Sequence, residues 1–290
     1  MMTAVADMTV HELLAWGRRE LACLVAEEAR RNAEYLLGNL LGADRASLYL
    51  RSAGPVAAPV AEQYAGLIRR RRLGEPLAYL IGTADFYNET LKVGPECLVP
   101  RPETEILVEQ FLAVSGFDKN DSFSFLDLGS GSGAVGIALL RHYTNAEATF
   151  LDISREALRI TGENLSRYNL QRRGRLIQAD LFSGLNGARW DAIVSNPPYI
   201  ADGDWNRLSA ELFYEPYVAL DGGIDGLHCY RRIAKKAPDV LKTGGRLFLE
   251  VGFEQSAPVI QLLSRGFEDL RSFKDLRGVE RVVSARKRGV

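Results

Sequence analysis

Apolar and polar positions alternate in two different rhythms along the chain. Up to about residue 80 the rhythm is helical. Thr9-Val10-His11-Glu12 has the form of a capping box ahead of an apolar run. Leu13, Leu14, Leu21, Leu24 and Val25 then recur at helical spacing. The stretch 29–41 repeats the pattern through Ala33, Leu36, Leu37 and Leu40, and Gly42 follows as a C-cap. Ser52-Ala53-Gly54-Pro55 breaks the chain, and a further helix is predicted from Pro59 to Leu73.

Beyond Gly74-Glu75-Pro76 the rhythm shortens. Phe86-Tyr87, Thr90 to Val93 and Leu98-Val99 read as short strands, two of them a hairpin. Pro100 to Glu105 opens a helix continued by Ile106, Leu107 and Phe111. From Phe123 strands and helices alternate. Predicted strands are Phe123–Leu128, Ala148–Leu151, Arg175–Gln178, Trp190–Val194 and Gly245–Val251, with an antiparallel pair at Phe267–Phe273 and Arg281–Ala285. Such alternation predicts an α/β fold, a mostly parallel sheet covered by helices on both faces. The domains expected are a helical one over 1–80, a linker with a hairpin over 81–105, and an α/β domain over 106–290.

Composition changes this picture little. The chain has 290 residues, 47% hydrophobic and 25% charged, with a net charge of −1. That is ordinary globular material with no global attraction to nucleic acid. No apolar run reaches membrane-spanning length, so no membrane partner is expected. The three cysteines are widely spaced, which suits reduced thiols in a cytoplasmic protein. With three histidines and no ligand spacing, no metal is expected. The run Arg69 to Arg72 reads first as a solvated helix end, and second as a patch for an acidic partner or RNA.

Candidate chemistry gathers at strand ends, where ligands bind in open parallel sheets. Gly129-Ser130-Gly131-Ser132-Gly133 follows the first strand, Asp152 ends the second and Asp180 follows the third. The loop lacks the dinucleotide spacing and the Gly-Lys-Ser/Thr of a phosphate loop. Glycines and serines at the turn, with an acid about twenty residues on for ribose hydroxyls, suit the adenosine of S-adenosylmethionine. Asp127 either meets that cofactor's ammonium or braces the loop.

The fourth strand delivers Ser195-Asn196-Pro197-Pro198-Tyr199. Two prolines fix the backbone and offer no N–H, while Asn196 adds a side-chain acceptor. Tyr199 supplies an aromatic face. Such a mouth suits a planar –NH2 group whose two N–H bonds are accepted by oxygens. This defines the nucleophile as a conjugated nitrogen and leaves a carboxamide, an adenine N6 and a cytosine N4 open.

The sequence resembles the HemK/PrmC protein-(glutamine-N5) methyltransferases, which modify peptide chain release factors. The resemblance rests on 74–82 (Gly-Glu-Pro-Leu-Ala-Tyr-Leu-Ile-Gly), Phe86, 99–105 (Val-Pro-Arg-Pro-Glu-Thr-Glu), 127–133, 196–200, Tyr214-Glu215-Pro216, 219–227 and Leu249-Glu250-Val251-Gly252. Cys97-Leu98 stands where relatives more often carry Leu-Ile. The resemblance implies a class I S-adenosylmethionine-dependent methyltransferase fold with a seven-stranded sheet. It implies methylation of the glutamine in the Gly-Gly-Gln loop of class 1 release factors. It assigns the cofactor to Gly129–Gly133, Asp152, Phe182 and Asn196, and catalysis and substrate binding to Asn196, Pro197, Pro198 and Tyr199. The helical segment would contact the release factor. A glutamine methyltransferase acting on a ribosomal protein shares the pocket. A DNA adenine methyltransferase lacks a base-reading segment here, and a non-catalytic binding protein would not need the intact motifs.

Overall fold

A computed structural model of the chain describes Val5, 7–185 and 187–289; the expected segments reaching 1–4, 6, 186 and 290 lie outside the described residues at those positions. The chain divides into two compact units, Met1–Gly82 with Ser209–Tyr214, and Thr83–Leu208 with Glu215–Val290.

The first unit is helical: α1 (Val10–Glu20), α2 (Ala26–Leu41), α3 (Arg45–Leu50), α4 (Ala58–Arg72) and α5 (Leu77–Ile81). Both halves of the Thr9–Glu12 capping box form at the start of α1. Leu13, Leu36, Leu37, Tyr64 and Ile68 share one buried core. Two expectations fail here. Val25 leaves the apolar stripe, because α1 stops at Glu20 and Val25 stands exposed ahead of α2. The arginine run is not one solvated face: Arg71 is buried, bonding Asn32 Oδ1 at 2.6 Å and pairing with Glu28 and Glu211. Its neighbours Arg70 and Arg72 pair with Glu75 and Glu20.

The second unit opens with a hairpin of β1 (Thr83–Phe86) and β2 (Glu89–Lys92). Tyr87 and Asn88 form its turn at positive φ, so Tyr87 is a turn residue and not a strand residue. Phe86 and Leu91 are buried in the α/β core, and Asn164 takes both the N–H and the C=O of Lys92. The hairpin thus packs as part of this unit, where the sequence suggested a linker. Leu98-Val99 is not a strand. The Val99 N–H goes to the buried Glu215 carboxylate at 2.9 Å, which replaces a ladder partner.

After a 3-10 turn at Pro102–Thr104 come α6 (Glu105–Val114), β3 (Ser124–Leu128), α7 (Ala134–His142), β4 (Glu147–Asp152), α8 (Arg155–Arg167), β5 (Gly174–Gln178), β6 (Trp190–Ser195), α9 (His228–Val240), β7 (Leu241–Glu250), α10 (Ser256–Leu263), β8 (Phe267–Lys274) and β9 (Glu280–Lys287). The sheet has seven strands in the order β5-β4-β3-β6-β7-β9-β8, with β8 and β9 antiparallel at one edge. Strand order reverses between β3 and β6, the place where open α/β sheets bind ligands. Period-two alternation sends Phe125, Phe150 and Phe248 into one core and Leu126, Leu151 and Leu249 into the other. The same alternation places Asp127, Asp152 and Glu250, each two residues after one of those phenylalanines, on the phenylalanine side. Among the described residues no helix is long and apolar enough to cross a membrane.

Candidate active site

At the carboxyl ends of β3, β4 and β6 lies a cavity of about 410 Å³. Its lining includes Gly129, Ser130, Gly131, Ser132, Asp127, Asp152, Asn196 and Pro198. Four of the predicted site residues stand outside the lining: Gly133, Phe182, Pro197 and Tyr199.

The glycine loop is braced along its backbone, by β4, by its own Ser130 carbonyl and by Thr161 and Asn164 of α8. Gly129 and Ser130 give their N–H groups to Leu151 O, at 2.7 and 3.0 Å. Gly131 N–H goes to Asp152 Oδ2 at 2.8 Å, and Gly133 N–H to Ser130 O at 2.8 Å. Gly131 takes a positive φ with open space where a Cβ would be, so a ligand can approach its backbone closely. Gly133 is the left-handed residue that starts α7, and a Cβ there would lie 2.8 Å from Thr161 Cγ2. Its role is the turn itself. Because these N–H groups are already taken, the loop is a poor cradle for phosphate.

Two acids complete this side. Asp152 Oδ1 accepts from Ser154 N–H at 2.9 Å, while the Ser154 side chain caps α8. Burial raises the Asp152 pKa against the backbone N–H groups of Ser154 and Gly131 that it accepts. Asp127 Oδ2 accepts the Gly136 N–H in the first turn of α7 at 2.9 Å. Gly136 is a residue the sequence reading missed: a Cβ there would stand 2.7 Å from that carboxylate oxygen. Burial pushes Asp127 up to about 7, an environment in which a cationic group would be welcomed. A ligand with hydroxyls and a positive charge fits these donors and acids better than a pyrophosphate does.

Opposite stands the loop after β6. Ser195 Oγ donates to Leu128 O at 2.6 Å and ties the ends of β6 and β3 together. Asn196 Nδ2 donates to Thr104 Oγ1 at 3.1 Å, which leaves Asn196 Oδ1 as the acceptor end of the amide. Thr104 is buried, and it is another residue that sequence reading passed over as a helix start. Gln255 Nε2 holds Tyr199 O at 2.9 Å. Behind the loop, a Cβ on Gly222 would lie 2.7 Å from the Tyr199 carbonyl carbon, so only glycine lets the 221–226 segment pass. Tyr199 turns its hydroxyl to Glu250, 3.5 Å away, and packs its ring on the core; it does not line the cavity. Phe182 likewise packs on that core, and Leu181, at positive φ, takes the lining position beside Asp180. Cys97 and Cys229 line the cavity as buried thiols, Cys97 pushed up to about 11 by burial. They are poor nucleophiles.

A seven-stranded sheet with an antiparallel edge, a glycine loop after β3 and an Asn-Pro-Pro-Tyr loop after β6 defines a class I S-adenosylmethionine-dependent methyltransferase fold. A family model described as "Methyltransferase small domain" matches residues 104–223, and one described as "PrmC N-terminal domain" matches residues 12–82. A release factor glutamine methyltransferase of Geobacter sulfurreducens is 38% identical over 280 residues, covering 96% of each chain. One of Agrobacterium fabrum is 34% identical over 290 residues, covering 99% of this chain and 100% of the relative. The fold is shared with the Thermus thermophilus 16S rRNA N2 G1207 methyltransferase solved with AdoMet and guanosine, at 22% identity and TM-score 0.53, covering 71% of this chain and 50% of that one. The chain belongs to the release factor glutamine methyltransferase family.

Proposed function

We propose that this enzyme transfers the methyl group of S-adenosylmethionine to the side-chain amide nitrogen, N5, of the glutamine in the Gly-Gly-Gln motif of class 1 peptide chain release factors. The observation that carries this reading is Asn196. Its Nδ2 is committed to Thr104, and it lines the cavity beside Pro198, across from the glycine loop. Its Oδ1 is therefore the end that can accept an N–H from a substrate amide.

When bound, the cofactor supplies an electrophilic methyl carbon on sulfur. Methyl transfer would exchange the S–CH3 bond for an N–CH3 bond, and the amide nitrogen would give up one proton to solvent. A carboxamide nitrogen is a weak nucleophile because its lone pair is shared with the carbonyl. Acceptors on its N–H bonds, Asn196 Oδ1 and a carbonyl of the rigid Asn196–Pro198 backbone, return electron density to nitrogen and fix its direction. Gly129, Ser130, Gly131 and Ser132 shape the cofactor side, where Asp152 would hold the ribose hydroxyls and Asp127 the ammonium. Pro197 and Tyr199 act from behind the lining, holding the loop in shape. The helical unit, read over 1–80, serves recognition of the release factor, and the α/β unit carries the chemistry.

The test offers purified release factor, ribosomal protein and DNA in parallel with labelled S-adenosylmethionine, and maps the modified residue by mass spectrometry. Label on the Gly-Gly-Gln glutamine is expected. Label on the ribosomal protein or on DNA alone would overturn the substrate assignment.

A further inference from the structure

One N–H of the glycine loop is left over. Those of Gly129 and Ser130 go to Leu151 O, that of Gly131 to the Asp152 carboxylate and that of Gly133 to Ser130 O. The N–H of Ser132 has no partner among the described residues. Ser132 is 3% exposed and lines the cavity. A buried N–H without a partner is rare and calls for one.

The direction of this N–H is set from behind the loop. The peptide joining Gly131 to Ser132 is planar and trans, so its C=O and its N–H point opposite ways. Gly131 O accepts at 2.9 Å from the hydroxyl of Thr161, a fully buried residue of α8 that stands outside the lining. The Ser132 N–H therefore points away from Thr161. The peptides on either side are tied at both ends. Ser130 O accepts from Gly133 N–H while Gly131 N–H goes to Asp152, and Ser132 O accepts from Asn164 Nδ2 at 2.9 Å. Between them, the Gly131–Ser132 peptide is tied on its carbonyl alone. Gly131 has no Cβ to stop this peptide from turning over, and the Thr161 hydroxyl opposes that turn. That hydroxyl also lies 3.3 Å from Ala157 O, the ordinary partner of a helical threonine one turn back. The contact to Gly131 O is the shorter of the two.

S-adenosylmethionine carries a carboxylate on the same carbon as its ammonium. Asp127, the acid that suits the ammonium, would repel that carboxylate, which needs a donor instead. We propose that Thr161 is a positioning residue for the cofactor: by holding Gly131 O it aims the Ser132 N–H at the carboxylate of the amino-acid tail. The proposal rests on the placement of S-adenosylmethionine in this cavity given above. Thr161 itself touches no ligand.

The experiment is calorimetry on the full chain with two ligands, for wild type, Thr161→Val and Thr161→Ser. One ligand is S-adenosylhomocysteine, which keeps the amino-acid tail. The other is methylthioadenosine, which has the adenosine and the sulfur without that tail. Valine matches threonine in shape and lacks only the hydroxyl, and thermal melts confirm that each variant is folded. Thr161→Val should weaken S-adenosylhomocysteine binding by about tenfold or more, the loss of one hydrogen bond to a charged group. Its affinity for methylthioadenosine should match wild type. Thr161→Ser keeps the hydroxyl and should bind both ligands as wild type does. A merely structural threonine would change both affinities alike. Unchanged S-adenosylhomocysteine affinity in Thr161→Val, equal losses for the two ligands, or a Thr161→Ser variant no better than Thr161→Val would each overturn the proposal. A wild-type protein that binds neither ligand would instead overturn the cofactor placement beneath it.

Discussion

The two loops that face each other across the cavity are held by different means. The glycine loop after β3 is fastened along its backbone: its N–H groups go to Leu151 O, Ser130 O and the Asp152 carboxylate, and its carbonyls accept from Thr161 and Asn164 of α8. The Asn-Pro-Pro-Tyr loop after β6 is fastened by side chains from elsewhere, Thr104 on Asn196 and Gln255 on Tyr199. The difference follows from the backbone each loop has. Glycines leave N–H groups free to bond and turn back on themselves, whereas consecutive prolines have none to give. The cofactor side is thus held along its backbone by β4 and α8, and the substrate side by single side chains from distant segments.

This contrast can be broken from either side. The largest effect is expected for Asn196→Ala, which removes the amide acceptor. Its kcat should fall by about a hundredfold to a thousandfold while cofactor affinity holds. Isothermal calorimetry beside single-turnover kinetics checks both. Gly222→Ala comes next, since the new Cβ would meet the Tyr199 backbone at 2.7–2.8 Å and push the loop out of place. We expect a kcat loss of about tenfold to a hundredfold, again with cofactor binding kept. Damage confined to cofactor binding would show that the two sides are not separable. Asp152→Ala sharpens the other side. It should weaken S-adenosylmethionine binding by about tenfold or more, through loss of a charged acceptor and of the Gly131 brace; unchanged binding would remove Asp152 from the cofactor site.

The smallest effect concerns pH and stability. Asp127 and Glu250 have folded-state pKa values raised by burial to about 7, above their ordinary values of 3.8 and 4.5. The folded state therefore holds these protons more tightly than the unfolded chain. Their contribution is full below about pH 4 and is lost as pH rises through 7. The unfolding midpoint of the free protein, other groups aside, should drop by a few degrees between pH 5 and 8. Glu250→Gln should flatten part of that slope, and an unaltered slope would contradict the assignment.

The same contrast explains what could be read from the chain. The glycines, Asp152 and Asn196 were legible because each is marked by its neighbours: a strand before, a helix or turn after. Thr104 looked like an ordinary residue near a helix start, because its meaning lies in a partner 92 residues away. Glu250 looked like a strand end, and Gly136 and Gly222 show their purpose only once Asp127 and Tyr199 lie against them. Phe182 was placed in the cavity by position, but the left-handed backbone at Leu181 shifts the lining by one residue. Val99 read as strand by its side chain, while its N–H belongs to Glu215, 116 residues on. Arg71 was hidden in a charge run because burial is not written in residue type.

The central claim is that the cavity recognises an amide by its two N–H bonds. The most direct measurement offers the enzyme an intact release factor whose Gly-Gly-Gln glutamine is replaced by glutamate, with labelled S-adenosylmethionine and mass mapping of the product. The account predicts no methyl transfer at that position, since a carboxylate has no N–H to give to Asn196 and the loop carbonyls. A methyl ester formed on that glutamate at a rate near that of the natural glutamine would contradict it.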